Sequence, residues 1–237
     1  MFSRKYDYSR ALCEDQQLIK SWFDLIRNIV TKYGIVDTDI YNFDETGFMI
    51  GQITPTIVVT SSDREEKPKP AQPGNREWAT VIQGVNSQGW AVPSYIIVKG
   101  KYYLSSWSDD NKIPKDWRIA VSDNGWTTSE LTADWIQHFN QHTQHRKTGV
   151  YWLLILDGHV NHHLDAFEKY CKDNSIITLC MPPHLSHILQ LLDVACLAPL
   201  KKAYSKQIER LVRARISHIT KGDFIPAFFE AFKTSTT

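Results

Sequence analysis

Nowhere does the sequence run to eighteen uncharged apolar residues, and its amino terminus, MFSRKYDYSR, has no apolar segment of the kind a signal peptide needs. Membrane spanning and secretion are therefore not expected. Cysteine is scarce and scattered: Cys13, Cys171, Cys180 and Cys196 form no Cys-x-x-Cys pair. That argues against a disulfide framework and against a zinc knuckle, and for buried thiols in a reducing compartment. Net charge is almost absent, with 27 basic against 26 acidic residues, so only a local patch could attract a polyanion. Internal repeats and low-complexity tracts are missing too.

Aromatic residues, by contrast, are plentiful. Eight tryptophans, ten tyrosines and ten phenylalanines stand in 237 residues, enough to fill the core of one large domain. Trp78, Trp90, Trp126 and Trp135 accordingly read as core side chains rather than base-stacking platforms. Leu18, Trp22, Leu25, Ile26, Ile29 and Val30 recur at helical spacing and predict an amphipathic helix from Asp15 to Tyr33, closed by Gly34.

Residues 40–49, IYNFDETGFM, predict a short strand broken at Thr46-Gly47. Further strands are expected over 57–60, 78–85 and 91–98, with a hairpin turn at residues 86–89 and Pro93 near the start of the last. Residues 61–76 hold three prolines and mixed charge, an exposed loop or arm. Residues 101–127 show no periodicity. Beyond them come a helix over 129–143, a buried strand VYWLLIL over 150–156, a helix over 163–173 and a strand IITLCM over 176–181. From about residue 193 the pattern is helical. This order predicts an α/β protein with a mixed sheet and helices on both faces.

Three aspartates stand out. Asp157 directly follows seven apolar residues, at the carboxyl end of a central strand where open sheets place ligands, and Gly158 allows a sharp turn. An ordinary Asp-Gly turn explains the same pattern equally well. Asp44 repeats the arrangement less cleanly. Side-chain alternation means that only one of Asp44 and Glu45 can share a face with Asp157. Asp193 lies among Leu191, Leu192 and Val194, as a helix N-cap, a site residue or both. Together three carboxylates suit a hard divalent cation such as Mg²⁺, and two such ions can drive phosphodiester chemistry.

Other clusters are weaker. His159, His162, His163, His184 and His187 match no zinc spacing, and packing or phosphate contact explains them better. Lys201, Lys202, Lys206, Arg210, Arg213 and Arg215 share a stretch whose only acid is Glu209, a DNA track or simply a solvated helix face. Arg64, Lys67, Lys69 and Arg76 of the Pro-rich loop form a possible second DNA-facing arm.

The segments YNFDETGFMIG, QPGNREW, VIQGVNSQGWAVPSYII, VSDNGWTTSEL, LLILDGHVNHH and MPPHLSHILQLLDVACLAPLKKAY resemble the pogo/Fot1-type branch of the Tc1/mariner transposases, the DDE superfamily endonuclease domain of Tigger and CENP-B-like proteins. The resemblance implies an RNase H-like fold, here a mixed five-stranded sheet flanked by helices. It also implies a catalytic, metal-binding triad of Asp44, Asp157 and Asp193, and Mg²⁺ or Mn²⁺ as two bound ions. Its implied partners are DNA, both transposon ends and target, with a homodimer as one open assembly and the nucleus as location. No membrane role is implied. The organisation expected is a helical linker over 1–38, the catalytic domain over 39–207 and a shortened helical extension over 208–237. The helix-turn-helix modules of full-length relatives are not expected in these 237 residues. Leu191 stands where the family has proline, Asn161 where it has serine and Ala195 where it often has glycine. Those departures keep open a non-catalytic DNA- or chromatin-binding reading, and a small-substrate phosphohydrolase is a third.

Overall fold

The computed structural model describes residues 16–51, 77–104, 107, 113–157, 165–182, 192–216 and 218–235, apart from the side chains of Asp193 and Val194. Among them six strands are found: β1 (Ile40–Met49), β2 (Trp78–Asn86), β3 (Tyr95–Lys99), β4 (Arg118–Ser122), β5 (Trp152–Leu156) and β6 (Ile176–Cys180). They form one sheet in the order β4-β3-β2-β1-β5-β6. Strand β5 runs parallel to both β1 and β6, and β3 runs parallel to β4, whereas β2 and β3 are antiparallel. The sheet is mixed, as expected, with six strands instead of five. The additional strand is β4, in the stretch without periodicity. Its first residue is exposed and the next three are half-buried, so no sharp inside–outside alternation marks it.

Two other boundaries differ from expectation. β1 runs unbroken through Thr46-Gly47, because the glycine admits a neighbour rather than ending the strand. A β-carbon at Gly47 would stand 2.1 Å from Cζ2 of Trp78. β3 begins only at Tyr95, and Ala91 makes an isolated bridge to Val85. Pro93, which has no N–H to give, separates the two. The turn between β2 and β3 is where the sequence puts it. Asn86 Oδ1 accepts the N–H groups of Gln88 (3.1 Å) and Trp90 (2.8 Å), and Gly89 takes φ +86°. The strand expected over 57–60 and the arm over 61–76 lie outside the described residues.

Among the described residues five α-helices accompany these strands: α1 (Gln16–Tyr33), α2 (Ser129–Thr143), α3 (Asp165–Asp173), α4 (Ala198–Arg213) and α5 (Lys221–Ser235). The chain divides into two compact units, one drawn from 1–44, 83–92 and 129–193, the other from 45–82, 93–128 and 194–237. In the first, Tyr41 and Phe43 of β1 pack on Phe139 and Trp135 of α2, with ring centroids 5.1 and 4.1 Å apart. Trp152 of β5 reaches the same Phe139 at 6.3 Å.

The second unit is built around Phe48, which meets Tyr204 of α4 and Phe228 of α5 at 5.3 and 5.2 Å. Trp117 packs edge-on against Phe228, Phe229 and Phe232 of α5. Burial of such aromatic clusters on folding is the main favourable term available to either unit.

One buried charge ties the loop that leads into β5 to the foot of β1. Asp39, fully buried, accepts the backbone N–H of Thr148 with both oxygens at 3.1 Å and that of Gly149 at 2.5 Å. Charge-assisted bonds of this kind compensate the loss of water around a carboxylate.

Candidate active site

The pairing of β1 with β5 joins Ile40 to Leu153, Tyr41 to Leu154 and Asn42 to Ile155, each pair 113 residues apart in sequence. Asp44 and Asp157 are separated by the same 113 residues; the paired residues end at Asn42 and Ile155, and the same register carried two residues further would set the two aspartates level. Tyr41, Phe43 and Trp152 turn towards α2. Alternation then turns Asn42 and Asp44, together with Ile155 and Asp157, to the opposite face. Asp44 is buried and Asp157, the residue directly after β5, is half-buried. Asp157 thus occupies a strand end, as expected. Asp44 does not: it is the fifth residue of a ten-residue strand that outruns its partner.

Glu45, the next residue along β1, turns the other way. Thr127 Oγ1 donates to Glu45 Oε2 at 2.5 Å. Burial pushes the Glu45 pKa above its ordinary value, and the Thr127 hydrogen bond partly opposes that. Of the two neighbouring carboxylates, only Asp44 shares a face with Asp157.

Leu192 is already helical, so Asp193 lies within helical backbone and not at its cap. It opens a π-helical turn, Asp193–Leu197, that leads straight into α4. Such widened turns are frequent at functional sites. Its carboxylate is outside the described side chains. Register and alternation therefore put two of the three aspartates on one face of neighbouring segments, and the side chain of the third is not among those described. Among them no group of three or more His, Cys, Asp or Glu side chains gathers as a metal site. His159, His162, His163, His184, His187, Gly158, Asn161 and Leu191 lie outside the described residues, as do Arg64, Lys67, Lys69 and Arg76.

Asn42 escaped the sequence reading. It shares the face of Asp44, and its Oδ1 is buried without a hydrogen-bond partner. Its spacing of two from Asp44 was the available signal. Cys180 closes β6 opposite Leu156. Burial, Glu168 and Asp157 all push its thiol pKa up, so it is a poor nucleophile.

On α4 the amphipathic division is clear. Leu200, Tyr204, Ser205 and Ile208 are buried, and Lys201, Lys202, Lys206, Arg210 and Arg213 lie off that buried face. Arg213 is engaged with Glu209 at 2.6 Å. Trp135 is core, as expected, but Trp126 is not: 57% of it is exposed.

The mixed sheet flanked by helices is that of an RNase H-like fold, and solved structures with that fold align with this chain. A mariner Mos1 paired-end complex with Mg covers all of this chain and 65% of its own at TM-score 0.53 and 8% identity. A Mos1 mariner paired-end complex with Mn covers 99% of this chain and 62% of its own at TM-score 0.52 and 10% identity. The chain belongs to the DDE superfamily endonuclease family, which it matches over residues 75–235.

Among curated relatives, the Cochliobolus lunatus protein named MFS-type transporter clz9 is 51% identical over 217 residues, 90% of this chain and 24% of its own. The human Pogo transposable element with KRAB domain is 29% identical over 155 residues, 63% of this chain and 24% of its own. This chain spans about a quarter of the length of these relatives. No helix among the described residues is long and apolar enough to cross a membrane.

Proposed function

We propose that this domain cleaves and joins DNA with divalent metal, as the catalytic part of a transposase, using Asp44, Asp157 and Asp193. The observation that carries the reading is the parallel register of β1 with β5, which, continued past Asn42 and Ile155, would set Asp44 level with Asp157 on one face. Anionic oxygens are the donors that Mg²⁺ and Mn²⁺ take, so the chemistry of Asp44 and Asp157 suits such a cation. When bound, the ions supply Lewis-acid polarisation of the phosphodiester and of the attacking water. Asp44, within β1, and Asp157, directly after β5, would hold them, and Asp193 would add a further carboxylate from helical backbone. Glu45, tied to Thr127, stays out of the site.

The lysines and arginines on the outer face of α4, with Arg76, contact DNA phosphates at transposon ends and target. The names of the Mos1 complexes, which specify paired ends, Mg and Mn, support the same substrate and ions. Pairing of two copies as a homodimer, the nucleus as site of action, and the division into a linker over 1–38, catalytic domain over 39–207 and extension over 208–237 belong to this proposal.

Supercoiled plasmid incubated with the protein and Mg²⁺ or Mn²⁺ tests it. Nicking that disappears in Asp157→Asn and in chelator is expected. Nicking that Asp157→Asn leaves unchanged would sink the catalytic assignment. The basic face of α4 also favours a second reading, DNA binding without cleavage. A salt-dependent gel shift with no metal-dependent nicking would select it.

A further inference from the structure

Strands β3 and β4 are parallel and end level, Lys99 beside Ser122, so the segments that follow them leave the same end of the pair. Those segments are unusually aromatic for exposed backbone. Tyr102 is 79% exposed and Trp126 57%, and both Lys99 and Lys101 are exposed, with Asp123 the acid on the second segment.

Trp126 is held in place rather than left to move. Its backbone N–H donates to Asn124 Oδ1 at 3.0 Å, and its backbone carbonyl accepts from Ser122 Oγ at 2.8 Å. The carbonyl of Gly125 accepts from Thr80 Oγ1 at 2.7 Å. Gly125 itself takes φ +81° and lies so close to β2 that a β-carbon would stand 2.4 Å from the Trp78 carbonyl oxygen. One face of the Trp126 ring stacks on Trp78, centroids 5.8 Å apart and planes within 10°. Trp78 is in turn seated on Gly47. The result is a braced indole that keeps more than half of its surface in water. Folding normally removes such surface. A fixed aromatic plate beside lysines is what single-stranded nucleic acid binds, because every base has a face to stack and every linkage a charge.

We propose that Trp126, backed by Trp78, is a stacking platform for an unpaired DNA base, with Lys99 and Lys101 meeting the flanking phosphates. The inference rests on the DNA-processing reading and adds to it a preference for strands that are not fully paired.

The test is binding of the 237-residue chain, in chelator so that nothing is cut, to two labelled DNAs: a fully paired duplex and the same duplex with a short single-stranded overhang. The intact protein should bind the overhang DNA more tightly. Trp126→Ala should weaken that complex about 5- to 100-fold and change the paired duplex less than about twofold. Trp126→Phe, which keeps a ring and guards against loss of fold, should retain most of the preference. Equal binding of both DNAs by the intact protein, or overhang binding that Trp126→Ala leaves unchanged, overturns the platform and leaves the DNA reading standing. Failure of the intact protein to bind either DNA overturns both.

Discussion

Thr127 Oγ1 donates a 2.5 Å hydrogen bond to Glu45 Oε2, and so two carboxylates adjacent on β1 have different surroundings. Asp44 lies two residues beyond the paired Asn42, where the β1–β5 register, if continued, would set it level with Asp157. Glu45 is buried with its pKa above the ordinary value, chiefly because burial penalises the anion. A raised folded-state pKa adds stability that is complete below the ordinary carboxylate pKa and is lost as pH rises through the folded value. Glu45→Gln cannot ionise. Urea midpoints measured from about pH 4 to about pH 7 should therefore shift in favour of the variant as pH rises. A wild-type-minus-variant difference that stays flat with pH would contradict this.

The same contrast predicts metal affinity. Asp44→Asn and Asp157→Asn should each weaken Mn²⁺ binding, followed by calorimetry, by about tenfold or more, since each removes an anionic ligand. Glu45→Gln should leave it within about twofold. Equal losses for Asp44→Asn and Glu45→Gln would show that the wrong member of the pair had been assigned to the site.

Gly47 leaves the sequence little freedom. Gly47→Ala sets a methyl 2.1 Å from the Trp78 ring, and indole and strand must part to admit it. The expected cost is about 1–3 kcal/mol of unfolding free energy, measured by denaturant titration. Combining it with Trp78→Leu should recover part of the loss, because the obstruction is then gone.

Asp39→Ala leaves the Thr148 and Gly149 N–H groups without their carboxylate. A loss of about 2–3 kcal/mol is expected from breaking charge-assisted bonds at a buried site. Faster hydrogen exchange at both amides, ahead of global unfolding, would locate the effect.

On α4, replacing Lys202, Lys206 and Arg210 by Ala should lower the slope of log affinity for DNA against log salt by roughly three, about one for each phosphate no longer neutralised. Arg213→Ala should change it less, because Arg213 is already engaged with Glu209. A slope unaffected by the triple change would mean that this face is merely solvated.

Much of this architecture is legible in the sequence alone. Apolar spacing marks α1 and α2, the unbroken run VYWLLIL marks β5, and the abrupt charge after it marks Asp157. Alternation along β1 is enough to say that Asp44 and Glu45 face opposite ways. These features are local, because helix and strand periods are written in neighbouring residues. What local pattern does not contain is register. The pairing of β1 with β5 across 113 residues, from which the alignment of Asp44 with Asp157 is extrapolated, is set by packing and by backbone bonds far along the chain. Tertiary packing also decided that β1 passes through Thr46-Gly47, since only the arrival of Trp78 explains a glycine inside a strand. It decided that β4 exists at all and that Trp126 stays in water while Trp135 is buried. An indole's hydrophobicity is the same at both positions. Whether it becomes core or surface depends on what the fold lays over it.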